Sequence, residues 1–347
     1  GISLNLLEPR LLGRMGWFIG QKIGRADEKK QYRRLFKADD DFHERDRPGR
    51  TLPERDNWLV AREKYLRAQQ LVDSGAPLNT TPLIFHSEPM MTAINYARAL
   101  AKEGNFGEPG RDAWRLARDE MERFSVREIP TSWDVPIRLA LRESELARAD
   151  RLEKELEDLL PGQFKALEQK KRDELSPEEQ ALLDTPNDEL SEDKGEEVAG
   201  LKASIAVTWP MVAREAPADV RSKARDLAKQ LTEAKETATI IQRYRDIVNY
   251  DFWRATCEAG VTDDMLRARE SSWKADQDFE NARLQAAKKS YEDSFESWRK
   301  VLDASKKLRD DFLTREDIND LVGRYRKVLE QLDEPFPKEF ILKDMLD

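Results

Sequence analysis

Residues 219–259, DVRSKARDLAKQLTEAKETATIIQRYRDIVNYDFWRATCEA, decide the fold class. Their apolar members Val220, Ala224, Leu227, Leu231, Ala234, Ala238, Ile241, Tyr244, Ile247, Val248 and Phe252 recur mostly at steps of three and four. An α-helix turns once every 3.6 residues, so this spacing gathers one apolar stripe on one helical face, whereas a half-buried strand would alternate at period two. The stretch exceeds an ordinary globular helix and predicts either one long spine or two nearly collinear helices.

The same period spreads outward in both directions. Asn57, Trp58, Leu59, Ala61, Tyr65, Ala68 and Leu71 predict a helix over 57–73 with Asn57 at its N-cap. Residues 74–89 hold three prolines with Gly75 and Asn79, which predicts a loop with an apolar tip at Leu83, Ile84 and Phe85. A helix then resumes at Ser87 or Glu88, breaks at residues 107–110, and restarts through Trp114 to Phe124. A long exposed helix follows over 137–160 and another over 163–175. Ser176, Pro177 and Glu179 supply a capping box with proline at the first helical position. The acidic residues 184–197, broken by Pro186 and Gly195, read as a solvated linker, and Thr262 caps a further helix through Met265 and Phe279.

These elements predict an all-α protein: an elongated array of antiparallel helix pairs with a long helical spine. The expected divisions are a basic N-terminal segment and loop (1–50), an N-terminal helical module (51–183), an acidic linker and connecting segment (184–218), and a C-terminal helical module (219–347). Glycine and proline number only 15 and 16 in 347 residues, too few for the frequent turns of a sandwich or barrel. Charged residues make up 37%, which suits long helices with narrow apolar stripes.

The net charge of −9 argues against nucleic acid as a partner. Locally, residues 1–37 carry nine Lys or Arg against three acids, and 173–197 carry eleven acids against one Lys. Arg10, Arg14, Trp17, Phe18, Lys22 and Arg25 therefore form a basic, aromatic segment suited to an anionic membrane surface. Gly1 in place of Met is expected either of a processed chain or of a scar left by tag removal, and both leave room for an upstream targeting or spanning segment.

Chemistry-bearing motifs are few. Cys257 is the lone cysteine, and His43 and His86 are the only histidines, which removes most nucleophile–base pairs and catalytic zinc sites. His43 lies among Asp39, Asp40, Asp41, Glu44 and Asp46, but Arg45 and Arg47 compete for those acids and the spacing is not that of a calcium-binding loop. His86 reads as a half-buried loop residue beside a capping Ser87. No metal or cofactor is expected. Catalysis would have to run on paired carboxylates in a helical fold, with Trp114, Trp133 or Trp253 lining a cleft.

Within 275–298, Phe279, Leu284, Ala287 and Tyr291 follow the order of bulky and small positions in a tetratricopeptide unit, each one residue short of that spacing. The stretch 262–304 thus resembles a degenerate tetratricopeptide-like helix pair, a resemblance that implies protein binding. A second echo sets Arg243, Tyr244 and Arg245 against Arg324, Tyr325 and Arg326, with flanking arginines placed to meet acids of a neighbouring helix. Residues 5–10 leading to Trp17, and 85–91, resemble uncharacterised bacterial membrane-associated proteins with helical ectodomains, which implies an envelope location and no chemistry.

The preferred expectation is a non-catalytic protein-binding or scaffolding module whose contacts are Trp253, Trp273, Tyr291 and Trp298. The alternatives are a membrane-surface protein acting through residues 1–25 and a carboxylate-dependent hydrolase.

Overall fold

The computed structural model describes residues 54–75, 82–131, 135–186 and 191–346. The fold is all-α. In chain order the helices are α1 (Glu54–Asp73), α2 (Pro82–Lys102), α3 (Glu108–Val126), α4 (Arg142–Leu159), α5 (Gln163–Asp173), α6 (Pro177–Asp184), α7 (Glu192–Ile205), α8 (Trp209–Glu215), α9 (Arg221–Ile247), α10 (Tyr250–Gly260), α11 (Asp263–Glu280), α12 (Leu284–Ala304), α13 (Lys306–Asp310) and α14 (Phe312–Gln331). Among the described residues the only β-type pairing is a single antiparallel bridge, Ile129 with Ile137. The described residues form two compact units, one from those up to 139 together with those from 244 on, and a second from those between 140 and 243.

Several local signals act as the sequence predicts. Ser176 accepts from the Glu179 N–H while the Glu179 carboxylate accepts from the Ser176 N–H, and Thr262 accepts from the Met265 N–H. The long apolar stripe resolves into two helices. The break is at Asn249, whose φ of +49° lies in the left-handed region that asparagine tolerates better than most residues.

Other boundaries differ from the sequence reading. Helix α1 starts at Glu54, so Asn57 is an interior residue and not a cap. Helix α2 starts at Pro82, so the expected loop over 82–89 is helical, and Ser87 and Pro89 both sit inside the helix. Proline there forfeits a backbone hydrogen bond, and burial of Leu83, Phe85 and Met90 offsets the loss. The helix expected over 137–160 is delayed to Arg142, because Ile137 pairs its backbone with Ile129 through two hydrogen bonds of 2.8 and 2.9 Å, and a short 3₁₀ turn, Leu139–Leu141, follows. The acidic linker expected over 184–197 becomes helical from Glu192, where Val198 is buried and Leu201, three residues on, is partly so. The expected connecting segment 184–218 lies wholly inside the second unit, and the unit boundaries fall at 139/140 and 243/244.

The second unit is built on the stripe of α9. Ala224, Leu227, Ala228, Leu231 and Ala234 pack with Leu152 and Leu156 of α4, Leu167 of α5, and Trp209, Val212 and Ala213 of α8. The Trp209 indole N–H donates to Glu153 Oε1 at 3.1 Å, which lets its polar edge sit at the rim of that core.

In the first unit the broadest helix contacts join sequence neighbours, α11 with α12, α1 with α2 and α2 with α3, and α10 packs on α3. Small residues allow α11 and α12 to approach closely: Ala268, Ala275, Ala287 and Ser294 are buried, and Ser294 Oγ donates to the Ala268 carbonyl at 2.7 Å. Tyr291, Phe295, Tyr325 and Phe340 form a chain of ring contacts with centroids 5.0–6.4 Å apart. Glu120 of α3, 3% exposed, accepts from Arg62 of α1 and from Arg123, and so fastens two helices with a buried charge that is fully paired.

Gly260 ends α10, and a Cβ there would lie 2.3 Å from Cε3 of Trp114. Gly260→Ala is therefore expected to lower the unfolding free energy by about 1–3 kcal/mol in urea denaturation, against the roughly 1 kcal/mol gain that alanine brings to an unobstructed helix position. A variant as stable as the wild type would show that Trp114 has room to move.

Candidate functional site

The four aromatic residues expected to form a contact surface separate into different environments. Trp253 on α10 is 6% exposed and meets the edge of Phe252, with ring centroids 4.8 Å apart. Tyr291 on α12 is 1% exposed and donates to Asp276 Oδ1 at 2.5 Å. Both are core. Trp273 on α11 is half-buried and committed to its own fold: its indole N–H donates to the Lys102 carbonyl at 3.2 Å, and its ring lies against Phe106 and the backbone of Gly104. Gly104, with φ of +80°, both turns the chain after α2 and leaves the space that ring fills.

Trp298 on α12 differs. It is half-buried, and its indole makes no hydrogen bond or ring contact with any described residue. The next residue, Arg299, pairs with Asp303 and Asp344 at 2.8 Å each, which anchors the surrounding turn.

Of the residues considered for chemistry, Trp114 is buried, while Trp133 and His43 lie outside the described residues, as do Arg10, Arg14, Trp17, Phe18, Lys22 and Arg25. Among the described residues no cluster of His, Cys, Asp or Glu is placed to hold a metal ion, and no helix is long and apolar enough to cross a membrane. The flanking arginines of the second sequence echo do meet partners. Arg324 pairs with Asp276 of α11 at 2.5 Å, Arg326 lies 4.8 Å from the Phe336 ring centroid, and Tyr325 donates to Glu292 at 2.9 Å.

Two groups of perturbed side chains lie in the first unit. On α1 and α2, burial raises the Glu88 carboxyl to about 7, and burial with the Glu88 charge raises the Tyr65 phenol. His86, 3% exposed with an unpartnered Nδ1, is held down to about 4 by burial and secondarily by Arg127, against a smaller opposing pull from Asp73. Arg127 clasps Asp73, which moderates its effect. Burial is also the first cause of the raised Asp317 carboxyl on α14. For both carboxyls burial is the first cause, and at Asp317 the neighbouring Asp320 adds a smaller upward push.

The second group was not singled out by sequence reasoning. Arg98 of α2 places its guanidinium 5.3 Å from the Trp253 ring centroid, and Arg269 of α11 places its own 3.9 Å from that of Trp114. Cys257, one turn beyond Trp253, is buried and feels both guanidiniums, as does Asp317. Burial pushes the Cys257 thiol up to about 12, so it stays neutral. Burial and then the charge of Arg98 lower Arg269 to about 9. The available sequence signal was Arg98 itself, the one arginine of α2, standing between Ala97 and Ala99 on an apolar helix.

Glu88 keeps its proton to a higher pH in the folded chain than its ordinary 4.5, so its contribution to stability falls as pH rises from about 4.5 to about 7. His86 refuses its proton when folded, so its contribution falls as pH drops from about 6.5 to about 4. Glu88→Gln removes the first slope alone. In urea titrations the difference between variant and wild type is expected to grow in the variant's favour from pH 4.5 to 7 and then level off. A difference independent of pH would place the Glu88 carboxyl in water.

Comparisons with protein-family models, with curated protein sequences and with solved structures each return no match to this chain.

Proposed function

We propose that this chain is a non-catalytic protein-binding module that engages a partner through Trp298 on α12. The observation that carries this reading is the combination at Trp298 of a half-buried ring, an uncommitted indole N–H and a neighbour pinned by two carboxylates. A rigid, partly exposed tryptophan brings large contact area at small entropic cost, and tryptophan is enriched among residues that dominate binding energy. The helix pair of α11 and α12, whose sequence resembles a tetratricopeptide-like unit, is consistent with a scaffolding role.

The test places a photo-crosslinking phenylalanine analogue at position 298, and in parallel at the exposed Glu316 of α14, in cells of the source organism. A discrete adduct specific to position 298 is expected. The partner so identified should bind Trp298→Ala at least about tenfold more weakly than wild type. Identical adducts from both positions, or equal affinity of the alanine variant, would refute this assignment.

A further inference from the structure

Two other arginines of the first unit that face inward, Arg62 and Arg245, have their charge answered. Arg62 donates to Glu120. Arg245, 3% exposed, donates through Nε to the Leu139 carbonyl at 2.8 Å, lies 3.6 Å from Asp251 and covers the Tyr250 ring at 4.6 Å. Desolvating a guanidinium costs several kcal/mol unless such partners replace water, and this pattern follows that requirement.

Arg98 and Arg269 break the pattern together. Neither guanidinium donates a hydrogen bond to a described residue, and neither has a carboxylate within 4.0 Å among the described residues. Nη1 of Arg269 is shut off from solvent and has no acceptor. The one carboxylate whose charge reaches both is Asp317, and burial works against its ionisation. Cys257 contributes no charge. Two cations that feel each other's charge are thus gathered with at most one negative charge, while the rings of Trp253 and Trp114 lie over the guanidinium carbons without accepting a hydrogen bond. Both arginine residues keep part of their surface exposed, although Nη1 of Arg269 does not.

The geometry points to a binding site for a small oxyanion of the phosphate class, held by the guanidiniums of Arg98 on α2 and Arg269 on α11 against the flat backing of Trp253 and Trp114. Each guanidinium offers five N–H donors in a planar fork. Two forks supply more donors than the two oxygens of a carboxylate can use, and a phosphoryl group matches them with three or four acceptors and up to two charges. Each guanidinium lies beside a large buried ring, which limits the entropy lost on capture. The pair is also built from helices distant in sequence, so its geometry belongs to the folded unit and not to a mobile loop.

The test is calorimetric titration and thermal unfolding of the full chain at fixed ionic strength and neutral pH. The probes are inorganic phosphate, phenyl phosphate and acetate, with chloride as reference. Saturable binding of inorganic phosphate, with a rise in Tm over chloride, is expected. Acetate should bind at least about tenfold more weakly, as should phosphate to Arg269→Leu, the fold-change that accompanies loss of one charge-assisted hydrogen bond. Binding of phenyl phosphate as well identifies a phosphate monoester as the ligand class, whereas binding of inorganic phosphate alone identifies a free ion. Leucine at 269 also removes an unanswered cation, so the variant should unfold no earlier than wild type in chloride. Should that variant fail to fold, Arg98→Leu carries the same comparison. The site is overturned if phosphate and chloride act alike on the wild type, if acetate equals phosphate, or if either folded leucine variant keeps the full phosphate response.

Discussion

The first unit turns on the contact between Trp114 and the bare backbone of Gly260. With no Cβ at the end of α10, the indole of α3 can lie directly against that helix, and α10 is buried along most of its length. The same indole then carries the guanidinium of Arg269, while Trp253, further back on α10, carries that of Arg98. One missing methyl group thus fixes the approach of α3 to α10 and the backing of the arginine pair. The elements concerned come from both sides of the second unit in sequence, so the contact must also close a long intervening chain. The entropic penalty of such closure grows only slowly with length, which makes the arrangement affordable to a large buried aromatic interface.

Charge is handled in two ways. Most ion pairs lie on exposed helix surfaces, among them Arg67 with Glu63 and Arg254 with Glu258 one turn apart, and such pairs add little to stability. Where charge is drawn inward it is normally met, as at Glu120 and Arg245, because an unmet buried charge would cost more than the helix contacts around it return. Arg98 and Arg269 depart from that rule. Departures of this kind concentrate where a protein meets a ligand, since local stability has been exchanged there for recognition.

The aromatic residues illustrate a limit of periodicity. Trp253, Trp273, Tyr291 and Trp298 all stand at helical spacing, yet two are core, one closes the turn between α2 and α3, and one keeps an open indole. A stripe of period 3.6 states which residues share a face of one helix. It says nothing of how far that face is covered, because the cover comes from helices elsewhere in the chain.

The sequence by itself determined the helical class, the stripe of α9, the capping box at Ser176 and the cap at Thr262, since each depends on residues within about one turn of each other. The tertiary structure alone decided that α2 begins at Pro82 in spite of Pro89, that residues from Glu192 onward are helical, and that the unit boundaries fall at 139/140 and 243/244. It also decided which tryptophan is left open and that Arg98 and Arg269 share one environment. Burial of Leu83, Phe85 and Val198 comes from whole helices packing on one another, and the meeting of Arg98 with Trp253 joins segments far apart in the chain. Local propensity carries no information about those distances, and the free energy released on desolvating such surfaces outweighs it.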